Sequence, residues 1–95
     1  MPTIEIENVG QPGKTYRVDG IKFAEMKRAV LTTLPDCAPG MTPAELIEAV
    51  KPKLDQTLFP GGDTAGWWVK AVQLDLEAKE IITRAPKSPV RLWRL

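Results

Sequence analysis

The stretch AGWWVKAVQLDLEAKEIITR, residues 65–84, decides the architecture of this chain. It sets two adjacent tryptophans at the start of a helical pattern and a run of strand-favouring residues just past its end. At about 100° per residue, Lys70, Gln73, Glu77 and Glu80 gather on one narrow polar side. Trp68, Val69, Val72 and Leu76 form one apolar stripe, and Trp67, Ala71, Leu74 and Ala78 form a second. The pattern predicts a helix over about residues 64–80 that makes two contacts, with Asp63 as its cap. Asp75 and Lys79 stand at i and i+4 between the stripes and can pair there.

Working outward, IITR (81–84) and VRLWRL (90–95) flank the proline-rich APKSP (85–89), which reads as two short strands joined by a loop. Upstream, FPGGD (59–63) is a break, and before it MTPAEL (41–46) is a well-marked helix start. Thr42 is the N-cap, Pro43 takes the first helical position, Glu45 closes a capping box, and Met41 can staple onto Leu46. That second helix presents Leu46, Ile47 and Val50, with Leu54 continuing the face. Pro52 ends or bends it, because proline removes a donor and clashes with the preceding turn.

Earlier still, Asp19 caps a helix through GIKFAEMKRAVLTTL (20–34), which places Phe23, Met26, Val30 and Leu34 on one face. Pro35 stops it. The N-terminal TIEIENV (3–9) alternates Ile4 and Ile6 with Glu5 and Glu7, the period of a strand with one buried face. Pro12 and Gly13 suit a turn, so TYRV (15–18) returns antiparallel with Tyr16 and Val18 beside the isoleucines and Arg17 near the glutamates.

The predicted order is strand, strand, helix, helix, helix, strand, strand: an α+β fold of the winged-helix kind, preceded by a hairpin. In such a fold the second and third helices make a helix-turn-helix and the last hairpin is the wing. Leu76, Glu77, Lys79, Ile81, Ile82 and Arg84 resemble the end of the third helix and first wing strand of MarR-type winged-helix regulators. Those families commonly carry glycine where this chain has Glu80. Either Glu80 takes a mildly strained left-handed turn, or the helix runs on. The longer stretch FPGGDTAGWWVKAVQLDLEAKE (59–80), with VDG (18–20), is similar to a family of small stand-alone bacterial proteins with no assigned function. That resemblance implies the fold and no activity.

Ninety-five residues with 43% hydrophobic content suffice for one domain with one core. Thirteen basic and twelve acidic residues leave a net charge of +1, so the molecule has no general attraction for nucleic acid or anionic lipid. Any electrostatic partner must meet a local patch. A single cysteine, Cys37, excludes an internal disulfide and a multi-thiolate zinc site and fits a reducing compartment. No apolar run approaches the length of a membrane span, and MPTIEIEN (1–8) lacks a leader pattern. The chain reads as complete, soluble, cytoplasmic and without a membrane partner.

The residue types do not assemble a catalytic site, and no cofactor or metal is expected. There is no histidine to act as base or ligand. Cys37 lacks an activating partner and sits beside Asp36, whose charge disfavours the thiolate. Glu5 and Glu7 read as ordinary strand solvation. PGGDTAG (60–66) lacks a following Gly-Lys-Ser/Thr, so it reads as a tight loop rather than a phosphate cradle.

The basic set is more suggestive. After Glu80 the chain holds Arg84, Lys87, Arg91 and Arg94 and no acid. On a winged helix these would touch the backbone of double-stranded DNA, while Thr64, Lys70 and Gln73 face the bases. Glu77 and Glu80 on the same side oppose phosphate. The other reading is a contact surface for a second copy or another protein, built on Trp67, Trp93 and the hairpin edge. Helical spacing favours burial of Trp67, and exposure would make it an anchor.

Overall fold

The computed structural model describes residues 2–95. Strands β1 (Thr3–Glu7) and β2 (Thr15–Asp19) form an antiparallel hairpin in which Ile4 faces Val18, Glu5 faces Arg17 and Ile6 faces Tyr16. Helices α1 (Gly20–Thr33), α2 (Pro43–Val50) and α3 (Ala65–Ala78) follow, with short 3-10 turns at Lys51–Lys53 and Pro60–Gly62 between α2 and α3. Strands β3 (Ile82–Arg84) and β4 (Leu92–Arg94) close the chain as a second antiparallel hairpin. The architecture is α+β, with three helices and two small two-stranded sheets.

Local chemistry explains most element boundaries. Asp19 caps α1 by accepting from the amides of Ile21 at 2.9 Å and Lys22 at 3.1 Å. At α2 the capping box is complete. The Thr42 amide donates to Glu45 Oε1 at 2.9 Å, and the Glu45 amide donates to Thr42 Oγ1 at 3.2 Å. The Thr42 amide, and then the Thr42 hydroxyl donating to the same oxygen at 3.1 Å, hold the Glu45 carboxyl below its usual range.

Helix α3 begins differently from the sequence expectation. Thr64, not Asp63, is its N-cap; it sits in the left-handed region at φ 60° and makes no side-chain cap bond. Gly61 and Gly62 also take positive φ in the turn before it, which shifts the helix start by one residue. At the other end the Ile81 amide donates to the Leu76 carbonyl at 2.9 Å and the Glu80 amide to the Glu77 carbonyl at 3.1 Å. This is a Schellman close, with Glu80 left-handed at φ 59°.

The core lies among the three helices. Phe23, Met26, Val30 and Leu34 of the α1 face meet Leu46 and Val50 of α2 and Val69, Val72 and Leu76 of α3, all buried. Each such side chain contributes about 1.5–3 kcal/mol relative to exposure. Leu54 and Phe59 enter from the connection between α2 and α3. Phe59 is fully buried although it belongs to no helix or strand of the predicted pattern.

The hairpins dock on this centre through specific polar ties. Asp75, 0% exposed, accepts the Glu7 amide at 2.8 Å and pairs with Lys79 at 2.9 Å, so one carboxylate clips β1 to α3. The Val9 amide donates to the Leu74 carbonyl at 3.2 Å. On the other side, the Arg94 amide donates to the Pro35 carbonyl at 2.8 Å, and Met41 and Leu92 exchange backbone bonds at 2.9 and 2.8 Å. Among the described residues, no helix is long and apolar enough to cross a membrane.

Candidate functional site

Helix α3 organises the surface. Its inward side buries Trp68, Val69, Val72 and Leu76, as the first stripe requires. The second stripe is covered only in part. Ala71, Leu74 and Ala78 are half-buried near the N-terminal hairpin, but Trp67 projects into solvent at 60% exposure. The expected burial of Trp67 is therefore replaced by exposure, because the hairpin stops short of the first turn of α3.

Trp67 is exposed without being unsupported. Its ring meets Trp68 edge-on, with centroids 5.0 Å apart, and Trp68 meets Phe59 the same way at 6.2 Å. The Lys22 ammonium lies 5.3 Å from the Phe59 centroid and 5.9 Å from that of Trp68. Between Trp67 and the hairpin runs an open cleft of about 470 Å³. Ile6, Tyr16 and Val18 line one wall, Trp67, Ala71 and Leu74 the other, and Arg17 and Lys70 the rim. A second cleft of about 330 Å³ lies on the opposite flank of Lys70, against Ile47 of α2 and Val90.

The residues expected to read bases are dispersed by the structure. Gln73 is buried at 6% exposure and donates to Glu77 at 3.2 Å. Thr64 is exposed and donates its hydroxyl to the Asp63 carbonyl at 2.6 Å. Lys70 is exposed on the outer side of α3.

The cations of the C-terminal hairpin are engaged to different degrees. Arg84 grips Glu77 with both ends of its guanidinium, at 2.5 and 2.8 Å, and that carboxylate holds Arg84 above its ordinary value. Glu77 is thus buried beneath Arg84 and not presented on an open polar face. Arg91 lies 3.7 Å from Glu45, and Arg94 donates Nε to the Leu34 carbonyl at 2.9 Å. Among the described residues no ion pair engages Lys70 or Lys87. Trp93 is half-buried opposite Thr83, on the far hairpin from the Trp67 cleft.

Of the cleft lining, sequence reasoning assigned only Trp67 and Lys70 to a site; Tyr16, Arg17 and Val18 of the hairpin were not assigned. Their alternation with the isoleucines was the available signal. Among the described residues no cluster of His, Cys, Asp or Glu is grouped to hold a metal ion, and Cys37 is exposed and free.

The model of a family of unknown function, DUF6958, matches residues 3–92. The chain belongs to that family. The match takes in every element from β1 to the first residue of β4, hence both walls of the cleft. It agrees with the similarity of residues 59–80 to a family without assigned function. No curated protein and no solved structure is similar enough to this chain to match it.

Proposed function

We propose that this chain is a non-enzymatic interaction module on a winged-helix-like arrangement, and that it docks a partner protein on the Trp67 side of α3. The observation that carries this reading is a tryptophan 60% exposed at the lip of an apolar cleft and held from behind by a buried one. A large aromatic kept rigid at the surface loses little entropy on binding, which suits an anchor.

The DNA reading is the weaker of the two on this geometry. Four phosphate contacts were expected from Arg84, Lys87, Arg91 and Arg94. Arg84 is bound to Glu77, Arg91 is near Glu45, and Arg94 is committed to a backbone carbonyl. Lys87 and Lys70 remain, with Arg91 held only by a loose 3.7 Å contact, and so few phosphate contacts give weak, salt-dependent binding.

Two measurements test the proposal. A photo-crosslinking residue in place of Trp67 should form adducts with a protein in cells, whereas the same residue in place of Lys87 should not. Duplex DNA titrated at low and moderate salt should show little binding. Tight DNA binding that survives Trp67→Ser and disappears in Lys70→Ala/Lys87→Ala would overturn the reading.

A further inference from the structure

The cleft beside Trp67 has a backbone component as well as an apolar one. The Glu7 amide points out of the hairpin to Asp75, so β1 is the strand clipped to α3 and β2 is the outer strand. Among the described residues no backbone group outside β1 pairs with Thr15–Val18, while Asp19 at the end of the strand is taken up as the N-cap of α1. That leaves a short strand edge, Thr15–Val18, with open donors and acceptors. It differs from the other edges of the molecule. β1 is tied down by Asp75, β4 is covered by Met41 and Pro35, and β3 is only three residues long.

The open edge and the cleft are contiguous, since Tyr16 and Val18 belong to both. A strand laid along β2 would direct alternate side chains into the space between Tyr16 and Trp67. Charge then selects the occupant, since the lining carries two cations, Arg17 and Lys70, against one exposed carboxylate, Glu7. Lys70 on the opposite lip has no ion-pair partner among the described residues, and Arg17 in the middle of β2 has only a loose contact to Glu5 at 3.7 Å, both side chains more than half exposed. Lys14 precedes β2 and is exposed. Arg17 deters a basic strand and favours an acidic one. It also disfavours a second copy, because antiparallel self-pairing of all five β2 residues would set Arg17 against Arg17.

We infer that the partner is an extended peptide segment, apolar at every second residue and carrying carboxylates, which adds as a strand to β2 and places an apolar side chain against Trp67. This inference rests on the docking reading above and specifies how the docking occurs.

The test is selection of a randomised short-peptide display library on the full chain, with counter-selection on Trp67→Ser. The enriched sequences should alternate apolar and acidic residues with a period of two. Lys70→Glu should weaken the selected peptide on the order of tenfold, and a peptide with its carboxylate changed to lysine should recover that loss. The β2 amides that point away from β1 should gain protection from hydrogen exchange when the peptide binds.

Enriched sequences with apolar spacing of three and four, and no new protection in β2, would overturn strand addition and leave docking at Trp67 standing. Failure to enrich anything over the Trp67→Ser counter-target would overturn both. A concentration-dependent dimer in sedimentation, dispersed by Trp67→Ser and not by the selected peptide, would assign the edge to a second copy and overturn the inference.

Discussion

Replacing Glu80 with glycine should stabilise this protein. Glu80 holds φ at 59° because the two bonds that close α3, from Ile81 to Leu76 and from Glu80 to Glu77, require a left-handed residue there. A residue with a Cβ in that conformation costs about 1–2 kcal/mol. Glycine relieves that strain but returns roughly 0.5–1 kcal/mol through the greater freedom of the unfolded chain. Its carboxylate also stands at the negative end of the helix dipole, where its removal is worth about 0.3 kcal/mol. The net gain is about 1 kcal/mol, which for a domain of this size raises Tm by about 4–8 °C. Thermal and urea unfolding of the wild type, Glu80→Gly and Glu80→Gln separate the two contributions. Glutamine removes the charge and keeps the Cβ, so it should recover only about 0.3 kcal/mol. A glycine variant no more stable than the glutamine variant would refute the strain argument.

Asp75→Ala should cost about 3 kcal/mol, since it leaves the Glu7 amide without its acceptor beside a small cavity, and hydrogen exchange should show that amide losing protection. Asp75→Asn keeps an acceptor and loses only the charge pair with a Lys79 side chain that is 40% exposed, so about 1 kcal/mol is expected with Glu7 still protected. Gly40→Ala should be severely destabilising, about 3 kcal/mol or more in urea unfolding, because a Cβ there would stand 2.2 Å from the Leu92 carbonyl oxygen at φ +78°. Hydrogen bonds from the Arg28 side chain, and then the Asp55 amide, hold the Glu25 carboxyl below its ordinary 4.5. Stability from a depressed carboxylate is present above its unfolded value and lost as pH falls through the folded one. Below pH 4.5 the wild type should therefore lose stability faster than Glu25→Gln in acid titrations of the urea midpoint.

What the sequence made legible was whatever depends on neighbours along the chain. The α2 capping box uses Thr42, Pro43 and Glu45 within one turn, and it is present as read. Asp19 caps α1 for the same reason. Periodicity also placed Phe23, Met26, Val30 and Leu34 on the buried face of α1. Legibility ended where a distant segment decides the outcome. Gln73 and Glu77 share the polar side of α3 with Lys70, but both are buried, Glu77 bound by Arg84 returning from β3 and Gln73 bonded to Glu77. Trp67 lies on an apolar stripe like Leu74, and only the reach of the N-terminal hairpin separates an exposed residue from a half-buried one. The α3 cap slipped from Asp63 to Thr64 because two glycines with positive φ reorient the chain just before it. Phe59 had no periodic neighbours to mark it as core.

The ties that dock the two hairpins have a consequence for the order of assembly. The bond from Glu7 to Asp75 spans 68 positions and that from Arg94 to Leu34 spans 60, while the helical contacts they rest on join segments closer in sequence. Loop-closure entropy disfavours such distant bonds as the first to form. The N-terminal ribbon's ties to α3 are few, the Glu7 amide on Asp75 and the Val9 amide on the Leu74 carbonyl, so hydrogen exchange should show these amides opening before those of the three-helix core. Since that ribbon supplies one wall of the Trp67 cleft, its opening would abolish the proposed docking in a molecule that still looks native by its helical signal. Conversely, a ligand seated under the ribbon would slow its peeling without altering the rest of the chain.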